Sequence, residues 1–146
     1  MFNEVPPRAP GTLAYAMPYA RIALAELHLF SGNAAQALGA AREALAISER
    51  CRALMEQGAS NRLLGRAYEA IGDPAEADGA FRRSLEVLDE IQSRPELAQT
   101  LLAYGRFLQG NNQLEHRAMI ERALGLFEEM NAMGWIKEAR VALAAA

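Results

Sequence analysis

Residues 61–88 read NRLLGRAYEAIGDPAEADGAFRRSLEVL, and the reading of this stretch decides the fold. Apolar and small residues recur at helical spacing on both sides of Gly72-Asp73-Pro74. Two amphipathic helices therefore meet at that turn. Asp73 can cap the second helix, with Pro74 as its first residue and Glu76 reaching back in a capping box. Gly65 and Ala77 let two helix backbones approach closely. Tyr68 and Phe81 fill the space around that contact.

Outward from this pair, the whole chain carries the same signature. Its 146 residues suit one domain with a sizeable core. Ala, Leu, Glu and Arg dominate, and runs of Val, Ile and Thr are absent, so the composition points to an all-α domain. The net charge of −3 makes nucleic acid a poor first choice of partner. Lys137 is the only lysine among 15 basic residues, which we read as the codon bias of a GC-rich genome. Cys51 is the single cysteine, so neither an internal disulfide nor a cysteine-based zinc cluster is expected. Residues 1–11 are rich in proline and lack the apolar core of a signal peptide; a flexible start is expected there. No uncharged apolar run reaches the roughly 18 residues of a membrane span. A cytoplasmic setting without membrane contact is the expectation.

In chain order, the pattern predicts a first helix from near Met17 to Gly32, with Pro18 in its first turn. Thr12 as a cap, with Pro18 as a kink, is the alternative. A second helix is expected over 34–57, ended by Gly58. A third follows over 60–71 and a fourth over 74–92. Ser93-Arg94-Pro95-Glu96 repeats the capping logic for a fifth helix ending near Gln109. Gly110-Asn111-Asn112 is a turn. A sixth helix spans 113–130, with Asn131 as a left-handed cap, and a short helix covers 135–144. The turn glycines Gly32, Gly72 and Gly110 recur at a nearly constant interval, the second slightly shorter than the first. Three helix pairs (17–57, 60–92 and 95–130) and one closing helix result. The interval from Gly105 to Ala123 is one position shorter than the matching one from Gly65 to Ser84, so the third pair has lost a residue near its turn.

Leu64-Gly65, Tyr68, Ala77 and Phe81 fall at the spacings of a tetratricopeptide repeat, L-G-x2-Y followed by A-x3-F. Asn61 occupies the tryptophan slot, and the closing proline slot is not filled. The tetratricopeptide period is about 34 and that of HEAT and armadillo repeats about 40–47; the residue pattern favours the former with lengthened helices. The stretches ELAQTLLAYGRFLQGNN and IERALGLFEEMNAMGWIKEARVAL resemble the last repeat and closing helix of long-period tetratricopeptide arrays. Such arrays occur in large bacterial signalling proteins, including MalT-like ATP-dependent activators and cyclases with an ATPase. The resemblance covers residues 17–146. It implies a right-handed superhelical stack that binds a protein or peptide and couples it to a regulator. No ATPase, cyclase or DNA-binding region is present in this sequence.

In arrays of that kind the first helix of each pair lines a concave wall. Arg62, Arg66 and Glu69 fall on one face of the third helix. The matching faces carry Tyr19, Ile22, Glu26 and Leu29 in the first pair, and Gln99, Leu102, Arg106 and Gln109 in the third. The candidate binding residues are therefore Tyr19, Glu26, Arg62, Arg66, Glu69, Gln99 and Arg106. Guanidinium groups on one wall can take a carboxylate in bidentate fashion. The bland alternative is that they are solvated or paired with Glu26 and Glu69. A carboxylate clamp of the lysine-and-asparagine type is not supported, because no lysine stands at these positions.

The remaining chemistry-bearing residues read as structural. His28 stands in an aromatic slot, and His116 is expected to be a surface or semi-buried residue. Two histidines and one cysteine far apart give no metal spacing. Trp135 is expected to cover the open end of the stack, with Met130 and Met133 as filling. No phosphate-cradling loop, metalloprotease motif or nucleophile elbow occurs, so the expectation is a non-enzyme with no cofactor and no metal. Two functions remain. One is a protein- or peptide-binding scaffold in bacterial signalling or transcription regulation. The other is a homodimerisation unit that pairs through the apolar first helix, with Ile22 and Phe30 in the contact. Small-molecule sensing in the groove, a third class, would need a deep apolar pocket.

Overall fold

The structure, a computed structural model, describes residues 10–145. Among them are seven helices and no strand: α1 Pro10–Phe30, α2 Ala34–Arg50, α3 Leu54–Ile71, α4 Pro74–Glu90, α5 Arg94–Leu108, α6 Gln113–Glu129 and α7 Met133–Ala144. Each helix packs on the next in sequence. The odd-numbered helices α1, α3 and α5 also touch side by side, which makes them one layer and α2, α4 and α6 the other. The all-α stack of three pairs and a closing helix is thus as expected. Residues 1–9, where a flexible start was expected, lie outside the described part.

Two kinds of turn alternate along the chain. Within pairs, Gly32, Gly72 and Gly110 adopt φ of 79°, 94° and 88°. Between pairs the left-handed residue is Arg52, Gln92 or Asn131, with φ of 56°, 55° and 53°. Only the third of these was legible, because Asn tolerates that conformation and Arg and Gln carry no such signal. The expected boundary at Gly58 is accordingly corrected: α2 ends at Arg50 and α3 begins at Leu54. Gly58 lies inside α3, where an added Cβ would come within 2.3 Å of Leu88 on α4. That glycine serves close approach rather than termination. The start of α1 is corrected as well, from near Met17 to Pro10, with Pro18 inside the helix and fully buried. Proline needs no N–H partner at a first helical position, so Pro10 is a natural start.

The close-approach reading of Gly65 holds. A Cβ there would meet the Phe81 ring at 2.8 Å, and one on Gly105 would meet Ile120 at 2.5 Å. The second contact spans one position fewer than the first, so the shortening read in the third pair falls between α5 and α6. The core runs along both interfaces: Ala25, Ala41, Ala44, Leu63 and Leu64 near the start, Phe81 and Tyr104 in the middle, Leu101, Ile120 and Phe127 toward the end. Trp135 stacks on Phe127 with ring centroids 5.4 Å apart, which closes the last pair.

Caps follow the sequence in part. Asp73 accepts from the Glu76 backbone N–H at 3.3 Å, and Asn112 accepts from that of Glu115 at 3.1 Å. Ser93 makes no side-chain cap bond, contrary to expectation, and the Glu96 carboxylate turns instead to Arg62. His116 is another correction. It is fully buried, and its Nδ1 bonds the Gly105 carbonyl at 2.5 Å. That carbonyl belongs to the last turn of α5, where the Gln109 N–H goes to Arg106 instead.

Gly65→Val should therefore cost roughly 1–3 kcal/mol, because the new side chain overlaps Phe81. Gly125→Ala, in open space on α6, should gain roughly 0.5–1 kcal/mol. Urea unfolding of both variants beside the parent checks the pair; a neutral Gly65→Val would disprove the close contact.

Candidate functional site

The face formed by α1, α3, α5 and α7 carries a groove of two adjoining compartments. The first, about 400 Å³, is lined by Arg62, Arg66, Glu69, Gln99, Arg106 and Glu138, with Trp135 at the α7 side. The second, about 320 Å³, is lined by Tyr19, Glu26, Glu56, Arg62, Glu96 and Gln99, with apolar wall from α1 and α3. Arg62 and Gln99 belong to both. All seven residues expected to face a binding groove thus line one compartment or the other. Glu56, Glu96, Trp135 and Glu138 join them. Glu56 and Glu96 went unread because the α2–α3 turn was placed too late and Glu96 was assigned to a cap.

Arg62 differs from its neighbours. It is only 5% exposed, and its Nη1 lies 2.8 Å from Glu96 Oε2. The same nitrogen donates to the Glu96 carbonyl and to Thr100 Oγ1, both at 3.3 Å. Thr100 and Ser84 hydroxyls are 2.9 Å apart, and Ser84 donates to the Gly58 carbonyl at 2.7 Å. Ser84 has one hydrogen, so Thr100 must be the donor between the two. A one-way chain results, Arg62 to Thr100 to Ser84 to Gly58, tying α3, α4 and α5 together. The partner expected for these arginines, Glu26 or Glu69, is replaced for Arg62 by Glu96. Arg62 therefore braces the wall, and its Nη1 is committed before any ligand arrives.

Arg66 and Arg106 are exposed and make no ion pair or side-chain hydrogen bond among the described residues. The groove still withdraws water from Arg66. That desolvation, then the like charge of Arg62, lowers its guanidinium below the usual range, against opposing pulls from Glu26 and Glu69. Desolvation likewise raises the Glu69 carboxyl, with Arg66 acting against it. The two groups attract without closing a bond. Arg66 and Arg106 leave free donors in the lining of the groove, where a carboxylate or another anion can accept from them.

The residues assigned to self-association separate. Ile22 is 8% exposed and packs in the core with Ala25, Ala41 and Leu63, so it is not part of a surface patch. The second and third helices cover it. Phe30 is 92% exposed. Among the described residues no group of three or more His, Cys, Asp or Glu is placed to hold a metal, and no helix is long and apolar enough to cross a membrane. A scan of the chain against protein-family models gives no match, and a search of curated proteins gives none.

The two classes of arginine should separate by experiment. Arg62→Ala leaves Glu96 and Thr100 without their donor and should cost about 3–5 kcal/mol. Arg66→Ala should stay within about 0.5 kcal/mol of the parent. Chemical denaturation of each variant decides it; equal effects would mean that Arg62 is not a brace.

Proposed function

We propose that this chain is a tetratricopeptide-like scaffold that binds an extended segment of a protein partner in the groove, through an acidic side chain or a terminal carboxylate. The observation that carries this reading is the pair of uncommitted guanidinium groups, Arg66 and Arg106, facing one compartment. They stand at equivalent positions of successive repeats, each one residue after the close-approach glycine of its helix. Gln99 adds an amide able to bond a peptide backbone. A setting in cytoplasmic bacterial signalling or transcription regulation is part of the proposal, and it draws only on the sequence resemblance. A charge-assisted hydrogen bond contributes about 1.5–3 kcal/mol. Arg66→Ala and Arg106→Ala should each weaken binding by about tenfold or more. Fluorescence anisotropy against peptide pools with free and amidated C-termini, and with or without acidic residues, reads this. Equal binding to all pools, or affinity unchanged in both variants, would remove the groove from consideration.

A second reading, self-association, draws on the exposed apolar residues toward the end of α1, where Phe30 is 92% and Leu27 57% exposed. A twofold contact would place the same residues of both copies together. Light scattering at high concentration should then show a dimer that Phe30→Glu dissociates. A monomer throughout would rule this reading out.

A further inference from the structure

The second compartment holds a carboxylate without a counter-charge. Glu56 is 5% exposed and has no ion-pair partner among the described residues. The repeat explains why. The shift along the chain that carries Gly32 onto Gly72 also carries Glu56 onto Glu96, Ser60 onto Thr100 and Ile22 onto Arg62. At the later site Arg62 supplies the counter-charge of Glu96 and a donor to Thr100. At the earlier one isoleucine replaces the arginine, and the same shift puts Ala44 where Ser84 stands. The consequence is visible in Ser60, which is fully buried with its hydroxyl oxygen unbonded. One guanidinium is missing, and a cavity of about 320 Å³ opens in front of Glu56.

The walls of that cavity state what would fill it. Glu26, Glu56 and Glu96 contribute three carboxylates, and Arg62, the single cation of the lining, is already committed to Glu96. Burial, and then the charge and hydrogen bond of Glu56, hold the Tyr19 hydroxyl above its usual pKa, so it stays protonated beside the carboxylate. Ile22, Ala23, Met55 and Ala59 supply apolar surface. Carboxylates at the end of an apolar wall match a flexible methylene stem with a cationic head. A buried carboxylate without a counter-charge is costly, and a ligand that brings the cation relieves that cost.

We propose that this compartment binds the alkylammonium side chain of a lysine in the same protein segment whose carboxylate lies against Arg66 and Arg106. The inference rests on the reading of the groove as a segment-binding site, and it gives that segment a polarity: a lysine toward α1 and an anionic group toward α7.

The test uses the full chain, labelled with nitrogen-15, and two probes of one charge each. N-acetyl-lysine methylamide carries the ammonium alone, and N-acetyl-alanine the carboxylate alone. The lysine derivative should give saturable shifts around Glu56 and Tyr19, with a dissociation constant in the millimolar range. Glu56→Gln should weaken it by about tenfold or more and leave N-acetyl-alanine unaffected. Ile22→Arg, which supplies the missing guanidinium from within, should abolish it. Glu26→Gln, on an exposed residue, gives a further weakening that does not depend on tolerance of core changes. Absence of saturable shifts with the lysine derivative, or shifts indifferent to both Glu56→Gln and Glu26→Gln, would overturn the proposal. Binding of n-hexylamine as tight as that of the lysine derivative would overturn the protein-segment assignment in favour of a free amine. Failure of N-acetyl-alanine alone would sink the carboxylate reading of the groove and leave the ammonium site standing.

Discussion

The Arg62 guanidinium fixes the inner wall. It reaches from α3 to α5, and the hydroxyl relay beyond it ends on α4 at Ser84 and returns to Gly58. Every bond in the relay points the same way, so each donor polarises the next, and the chain is stronger than its separate links. Its end lies at a close contact of α3 and α4, since a Cβ on Gly58 would strike Leu88. Polar anchoring and close packing thus act at one cross-section. The spacing of α3 and α5, and with it the width of the groove, follows from that cross-section. Surface ion pairs such as Arg94–Glu129 and Arg122–Asp89 are more than half exposed and add little beside it.

Arg62 also partitions the groove. Toward α7 it stands with Arg66 and Arg106, and toward α1 it is outnumbered by glutamates. A symmetric repeat would give each compartment its own brace. The replacement of arginine by Ile22 breaks the symmetry and leaves opposite electrostatic characters side by side. A difference of one side chain between equivalent positions thereby becomes a direction along the wall.

Much of the fold was legible because glycine at a turn and aromatic residues beside small ones carry strong local signals. The Gly72-Asp73-Pro74 turn and the Gly65–Phe81 contact both reduce to nearest-neighbour sterics. Gly58 was misread because a glycine that ends a helix and one that admits a neighbouring helix are identical in sequence. Arg52 and Gln92 hid their turns because neither residue advertises a left-handed backbone. Candidate groove residues were found by helical phase alone, yet phase cannot tell a committed arginine from a free one. Arg62 and Arg66 sit one helical turn apart and differ only in what α5 presents to them. The full burial of His116 was missed because its partner, the Gly105 carbonyl, is freed only by the way α5 ends.

Sequential packing has a consequence for how the chain reaches this state. Most helix contacts join neighbours along the chain, so the contact order is low and little loop entropy is lost before contacts form. Folding of such a stack can begin at any pair and spread outward. The middle, where α3 meets α1, α2, α4 and α5, is the part with most to hold it. Helix α7 leans chiefly on α6, so opening begins there at lower free energy than in the centre. The Trp135 wall of the first compartment therefore opens more readily than Arg62, and the groove is hinged at one end and fixed in its middle.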